Sequence, residues 1–160
     1  MEAMDKFTEH SLSDAENKLG YCLPGFLREL YLTYGNSADF PLLDPAHLVA
    51  LNPDTDFPGI YALYPDLKNT PSKDRKLVTS LKRDEISGLM GVIHEGCGHY
   101  TCVATSGIHQ GKMYDAEDLS VLSGYKVRPD GMIEAHYGES ELSLKSYLRR
   151  WLVSDTAIRN

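Results

Sequence analysis

The sequence predicts an α+β fold in which N-terminal helices pack on a mainly antiparallel sheet and a C-terminal helix closes the chain. Apolar residues recur with helical spacing at both ends, and short strand-like runs separated by glycines fill the second half. The 160 residues, 42% hydrophobic and 24% charged, have the composition of a globular protein that buries a core without disulfides or metals. We therefore expect a single domain over residues 1–160.

Two helices and a helical turn are predicted in the first third of the chain. The first helix covers residues 13–19, because Ser13 and Glu16 have the spacing of a capping box and a glycine follows. The second covers residues 24–34, with a proline at its start and a stripe of leucines and aromatic residues along one side. Asp44 precedes a proline and is expected to cap a brief helical turn.

Residues 52–88 are expected to form a loop-rich insertion. Prolines interrupt this stretch and polar residues dominate it, except for a short strand predicted at residues 60–63. The stretch also contains a basic run, which we interpret as a solvated face because acidic residues interrupt it. The basic residues are Lys73, Arg75, Lys76, Lys82 and Arg83.

The second half of the chain predicts an antiparallel meander. Its strand-like runs are separated by glycines that suit tight links. The predicted strands are residues 89–94, 99–105 and 112–114.

A hairpin and a helix are expected after the meander. Residues 125–127 and 132–137 flank a Pro-Asp-Gly sequence of the type that joins hairpin strands. An amphipathic pattern over residues 142–152 then predicts the closing helix, with Ser140 or Ser143 as its cap.

The N-terminal helices also carry a specific motif. Leu12-Ser-Asp-Ala-Glu16 leads to Leu19-Gly20-Tyr21-Cys22-Leu23-Pro24, and a helix rich in leucine and aromatic residues then ends at Gly35-Asn36. This order resembles the signature of the SUKH superfamily, which more usually has Asn-Gly at the final position. A Gly-x-Gly at residues 96–98 and the terminal helix fit the same layout, whereas residues 52–88 have no counterpart in it.

The resemblance implies an α+β fold and a binding function. The SUKH superfamily includes bacterial immunity proteins that bind and neutralise toxin domains, many of them nucleases. Its motif is structural rather than catalytic, so the resemblance implies no catalytic residue. We therefore expect a non-enzymatic protein that binds a cognate toxin; the alternative is an intracellular regulatory or scaffold protein of the same fold.

The charge distribution favours a basic protein partner. The net charge is −7, and residues 1–66 hold eleven acidic side chains against three basic ones. An acidic surface repels nucleic-acid phosphates, so direct binding of DNA or RNA is disfavoured. Tyrosine combines a large contact area with a polar tip. A candidate partner-binding patch of acidic and aromatic side chains is therefore Asp54, Asp56, Tyr61, Tyr64 and Asp66.

Four residues suggest a competing enzymatic hypothesis. His94, Cys97, His99 and Cys102 are of the types that bind zinc, and Cys97 could act as a nucleophile beside a histidine base. Strand alternation, however, places His99 and Cys102 on opposite faces. We therefore favour a buried thiol and solvent-facing imidazoles, with no metal, cofactor or catalytic residue. A small thiol or zinc enzyme stays the alternative from a different class.

Clustered carboxylates do not change this interpretation. Asp115, Glu117 and Asp118 are interpreted as a turn and helix start, because no accompanying motif supports acid–base or calcium chemistry.

We expect a cytoplasmic protein that does not bind membranes. Residues 1–13 lack the apolar stretch of a secretory signal, and the longest apolar run is the five residues 60–64. An odd number of cysteines suits a reducing compartment, so all three are expected to be thiols.

Overall fold

A computed structural model of the chain confirms the α+β class. It describes residues 6–71 and 81–159, and the chain divides into two compact units, residues 1–49 and residues 50–160. The prediction of one domain over the whole chain stays a prediction. Of the basic run, Lys73, Arg75 and Lys76 lie outside the described residues.

The first unit contains helices α1 (Glu9–Leu19) and α2 (Gly25–Tyr34) and a 3-10 turn (Pro45–His47). α1 begins four residues earlier than predicted, because Thr8 and Ser11 each accept a hydrogen bond from the other's main-chain N–H, at 3.1 and 2.8 Å. The expected capping box inside the helix was therefore wrong. The range of α2 and the N-cap of the 3-10 turn are confirmed.

Glu16 joins the two helices instead of capping one. One carboxylate oxygen accepts the Leu23 N–H at 2.6 Å, and the other accepts a hydrogen bond from Arg28, which also pairs with Glu9. Arg28 is thereby held between two carboxylates, and its hydrogen bond to Glu9 contributes most to raising its pKa. This link fixes the turn that contains the LG-x-x-LP sequence.

The end of the motif closes the same unit. Asn36 accepts the main-chain N–H of Phe7 at 2.8 Å and donates to its carbonyl at 3.2 Å. A Cβ on Gly35 would lie 2.5 Å from the Phe7 ring, so glycine suits this position. Both residues of the Gly-Asn pair thus hold the segment that precedes α1.

A six-stranded sheet, of which all but the first residue lies in the second unit, has its strands side by side in sequence order. The meander and the following hairpin are confirmed, although β4 and β5 are longer than predicted. The strands are β1 (Val49–Leu51), β2 (Leu89–Gly96), β3 (His99–Ala104), β4 (Met113–Glu117), β5 (Val121–Val127) and β6 (Ile133–His136). The predicted turn and helix start at residues 115–118 was wrong, because Asp115 and Glu117 belong to β4 and the turn begins at Asp118.

Two short helices follow β1. Residues Ile60–Leu63, predicted as a strand, form α3, and Pro65–Asn69 form α4. The first main-chain N–H of α3 donates to the Glu139 carboxylate at 2.7 Å. This contact between residues far apart in sequence overrides a composition that favours strand.

One face of the sheet is apolar and carries the α3 region. The Phe57 ring packs on the buried Tyr114 of β4 with ring centroids 4.5 Å apart, and Leu122 of β5 donates its N–H to the Tyr64 hydroxyl at 3.4 Å. The opposite face carries polar side chains. After β6 comes helix α5 (Leu144–Arg159), and Ser143 caps it by accepting the Ser146 N–H at 3.1 Å. No helix in the described ranges has both the length and the apolar character needed to cross a membrane.

Candidate functional site

The segment after β1, residues 52–58, is termed the acidic loop because it exposes Asp54 and Asp56. Its main chain is tied to the sheet. Thr105, itself 2% exposed, donates its hydroxyl to the Pro53 carbonyl at 3.0 Å, and the Gly88 N–H donates to the Asn52 carbonyl at 2.8 Å. Hydrogen bonds from two directions therefore fix the position of the loop.

Side chains add further anchors to the acidic loop. Asp56 accepts the Ser106 hydroxyl at 2.7 Å, while the neighbouring Phe57 is 2% exposed. A Cβ on Gly88 would lie 2.2 Å from the Phe57 main-chain nitrogen, so only glycine permits this close approach. The loop consequently presents its carboxylates on a backbone that is already ordered, which lowers the entropy cost of binding.

The structure places the five predicted patch residues differently. Asp54, Asp56 and Asp66 are exposed and Tyr61 is half-buried, as a contact surface requires. Tyr64 is only 8% exposed and packs with its hydroxyl toward β5, so it belongs to the core and not to the patch. Burial also raises its pKa.

A residue that the sequence did not single out, Glu139, holds the region around the acidic loop together. Its carboxylate accepts hydrogen bonds from the Ile60 N–H at 2.7 Å and from the Tyr114 hydroxyl, and His109 Nδ1 lies 3.6 Å from it. Burial raises the pKa of Tyr114, and the hydrogen bond to Glu139 raises it further. The phenol therefore stays protonated and donates.

Thr105, Ser106 and Glu139 were missed because their partners lie 52, 50 and 79 residues away in sequence. No local pattern signals such contacts.

The polar face of the sheet carries a second group of residues, termed the His99 cluster: Glu95, His99, Thr101, Asp115 and Tyr125. His99 pairs with Asp115, and Tyr125 donates to Asp115 at 3.3 Å and contacts Thr101 at 3.0 Å. Glu95 lies in a β-bulge and accepts the Thr101 hydroxyl at 3.1 Å. The hydrogen bond to Asp115 and neighbouring carboxylates raise the pKa of His99, against partial desolvation. The surroundings therefore favour the protonated imidazole of His99.

The four residues of the thiol and zinc hypothesis are not brought to one face. His94 lies opposite Tyr100 in the β2–β3 register and stacks on its ring at 4.7 Å, whereas His99 reaches Asp115 on the other face. Cys102 is buried, which raises the pKa of its thiol to about 12. The exposed Cys97 occupies the hairpin turn with a φ of 50°.

Metal binding and likeness to other proteins add no further assignment. Within residues 6–71 and 81–159, no group of three or more His, Cys, Asp or Glu side chains could hold a metal ion.

Comparison with protein-family models, with curated proteins and with solved structures finds no match. The SUKH resemblance stays a prediction.

Proposed function

We propose that this chain is a cytoplasmic, non-enzymatic binding protein that resembles SUKH immunity proteins and neutralises a cognate toxin by occupying its active surface. The anchoring of the acidic loop carries this proposal. Exposed carboxylates at Asp54 and Asp56 stand on a main chain fixed by Thr105 and Gly88, so they offer a preformed negative surface to a basic partner.

The partner's chemistry follows from charge. A toxin that acts on nucleic acid needs a basic surface to bind phosphates, and a fixed acidic loop complements such a surface. Asp66 and the half-buried Tyr61 would widen the contact. In the His99 cluster the Thr101 and Tyr125 hydroxyls bond to each other and to the Glu95 and Asp115 carboxylates rather than to the His99 ring. This arrangement does not favour an enzymatic alternative.

The test is capture of partners from the native lysate by the tagged protein at low and moderate salt, with identification by mass spectrometry. We expect one stoichiometric, basic partner that raised salt releases. A housekeeping complex as the captured partner would favour the regulatory alternative and contradict the toxin-binding proposal.

Matched variants then locate the contact. Each unit charge at about 8 Å in water contributes about 0.5 kcal/mol, so the double variant Asp54→Asn/Asp56→Asn should slow association about fivefold. The asparagine at 56 can still accept the Ser106 hydroxyl. The control Asp14→Asn/Glu29→Gln removes the same charge from exposed positions on α1 and α2. Equal slowing by both variants would show that only net charge matters and that the loop is not the contact.

A further inference from the structure

A surface groove lies between α5 and the β5–β6 hairpin, with a cavity volume of about 740 Å³. This volume lies in the range of ligand-binding clefts, about 300–1,000 Å³. Two of its apolar residues are unusually open to solvent, Met132 at 60% and Val153 at 70%. The apolar side chains that line it are Met132, Ile133, Tyr147, Trp151 and Val153.

Exposure of large apolar side chains is concentrated at this groove. Of the large hydrophobic residues in the described ranges, only one other is as exposed, Ile108, which lies on the loop between β3 and β4. Met132 and Val153 are therefore the described groove residues at which a partner could bury the most additional apolar surface.

The charged side chains that line the groove are basic in a chain of net charge −7, and the Glu95 carboxylate acts on Tyr147 from outside the lining. Arg149 and Arg150 line it, and none of the lining residues that the structure describes is acidic. The acidic residues of the adjacent hairpin, Asp130 and Glu134, both pair with Arg128, at 2.9 and 4.0 Å. Arg150 donates to a main-chain carbonyl of the hairpin turn at 3.1 Å, which orients its guanidinium beside the apolar lining.

We propose that this groove binds an acidic peptide segment of a partner protein, with apolar side chains seated between α5 and the hairpin and carboxylates set against Arg149 and Arg150. Apolar burial supplies the affinity, and guanidinium–carboxylate pairing supplies the preference for an acidic segment. The site is independent of the proposed toxin contact, because the acidic loop selects a basic surface.

The test uses a short synthetic peptide of alternating leucine and glutamate as the probe. Trp151 is the single tryptophan of the sequence and lines the groove, so its emission reports occupancy directly. We expect saturable change with this peptide and at least tenfold weaker binding of two matched peptides, one alternating leucine with lysine and one alternating serine with glutamate. Equal binding of the lysine peptide, or no saturable change with the glutamate peptide, would overturn the proposal.

Variants separate the groove from nonspecific binding. Val153→Asp and Arg149→Glu should each weaken the glutamate peptide at least tenfold. Their controls, Ile108→Asp and Lys145→Glu, make equivalent changes, apolar to acidic and basic to acidic, at exposed positions outside the groove and should leave binding unchanged. Urea midpoints and far-UV circular dichroism confirm that each variant folds.

Sedimentation of the protein alone tests whether a second copy of the chain, instead of an acidic peptide, occupies the groove. Concentration-dependent dimers that Val153→Asp abolishes would show that a second copy of the chain fills the groove, and the proposal would be wrong. Monomers over the same range, together with peptide binding, would support it. Neither result bears on the Asp54 and Asp56 contact, which has its own variants.

Discussion

Removal of the Glu139 carboxylate should loosen the segment between the acidic loop and α3. In the native protein it accepts hydrogen bonds from the Tyr114 hydroxyl and the Ile60 N–H. A hydrogen bond to a charged group contributes about 1.5–3 kcal/mol. Tyr114 is 0% exposed and keeps an acceptor only if water enters the vacated space, whereas the Glu139 side chain is 25% exposed, so solvent recovers part of the loss. We expect Glu139→Ala to lower the free energy of unfolding by about 3 kcal/mol.

A double-mutant cycle isolates the hydrogen bond between the two side chains. Tyr114→Phe alone should cost about 2 kcal/mol, because it leaves one carboxylate oxygen with a missing donor. The double variant Glu139→Ala/Tyr114→Phe should cost less than the two singles together, with a coupling energy of about 2 kcal/mol. Urea unfolding followed by two probes measures all four proteins and checks two-state behaviour.

Rescue by a conservative change separates the hydrogen bond from simple packing loss. Glu139→Gln keeps the size of the side chain and can still accept one of the two donors, so it should recover part of the stability lost in Glu139→Ala. A coupling energy below about 0.5 kcal/mol would refute the reasoning, because the two sites would then behave as independent ones.

Three further predictions concern single contacts. Gly88→Ala should lower the free energy of unfolding by more than the about 1–2 kcal/mol of left-handed backbone strain, because its Cβ would lie 2.2 Å from the main chain of the acidic loop. The control Gly111→Ala has a similar φ and open space around its Cβ, so it should show only the strain in the same urea assay. Pairing with Asp115 raises the pKa of His99 in the folded protein, so the pair stabilises the fold by about 0.2–1 kcal/mol below the unfolded-state pKa of about 6.5. This contribution is lost as the pH rises through the folded-state pKa, so the stability difference between wild type and Asp115→Asn should shrink from acid to alkaline pH. Arg28→Ala should lower the thermal midpoint, since it leaves two carboxylates without their common partner, and an unchanged midpoint would contradict that role.

Elements with a local cause were predicted well. A stripe of leucines and aromatic residues predicts α2, and a Pro-Asp-Gly turn predicts the β5–β6 hairpin. Each pattern lies within a few neighbouring residues, so the local sequence is enough to predict the element. Asp44 accepts the N–H of the second residue of its turn at 3.0 Å, as its position before a proline indicates.

Elements decided by contacts across the fold were not predicted. Ile60–Leu63 has strand-forming residues, but its first N–H binds Glu139 and its chain forms a helical turn. Asp115 and Glu117 have turn-forming character, yet they lie in β4, where Asp115 is satisfied by His99 and Tyr125 on the polar face. Ile60 and Glu139 lie 79 residues apart, and the partners of Asp115 lie 16 and 10 residues away on the neighbouring strands. In both cases the deciding partner belongs to another element.

The same distinction between local and distant causes applies to the candidate site. Exposure of Asp54 and Asp56 follows from polar residues beside prolines in a loop, which is a local property. The burial of Tyr64 depends on β5, and the anchoring of the loop depends on Thr105, so neither could be inferred from the segment alone. Sequence reasoning located the charges but not the framework that holds them.

The opposite signs of the two proposed surfaces determine how they must be tested. Raised salt weakens both an acidic loop against a basic partner and an arginine-lined groove against an acidic one, so salt alone cannot assign a captured protein to either. Asp54→Asn/Asp56→Asn removes negative charge from the loop, and Arg149→Glu reverses positive charge at the groove. A basic partner should respond to the first change and an acidic peptide to the second, because each surface contributes the charge that the other lacks.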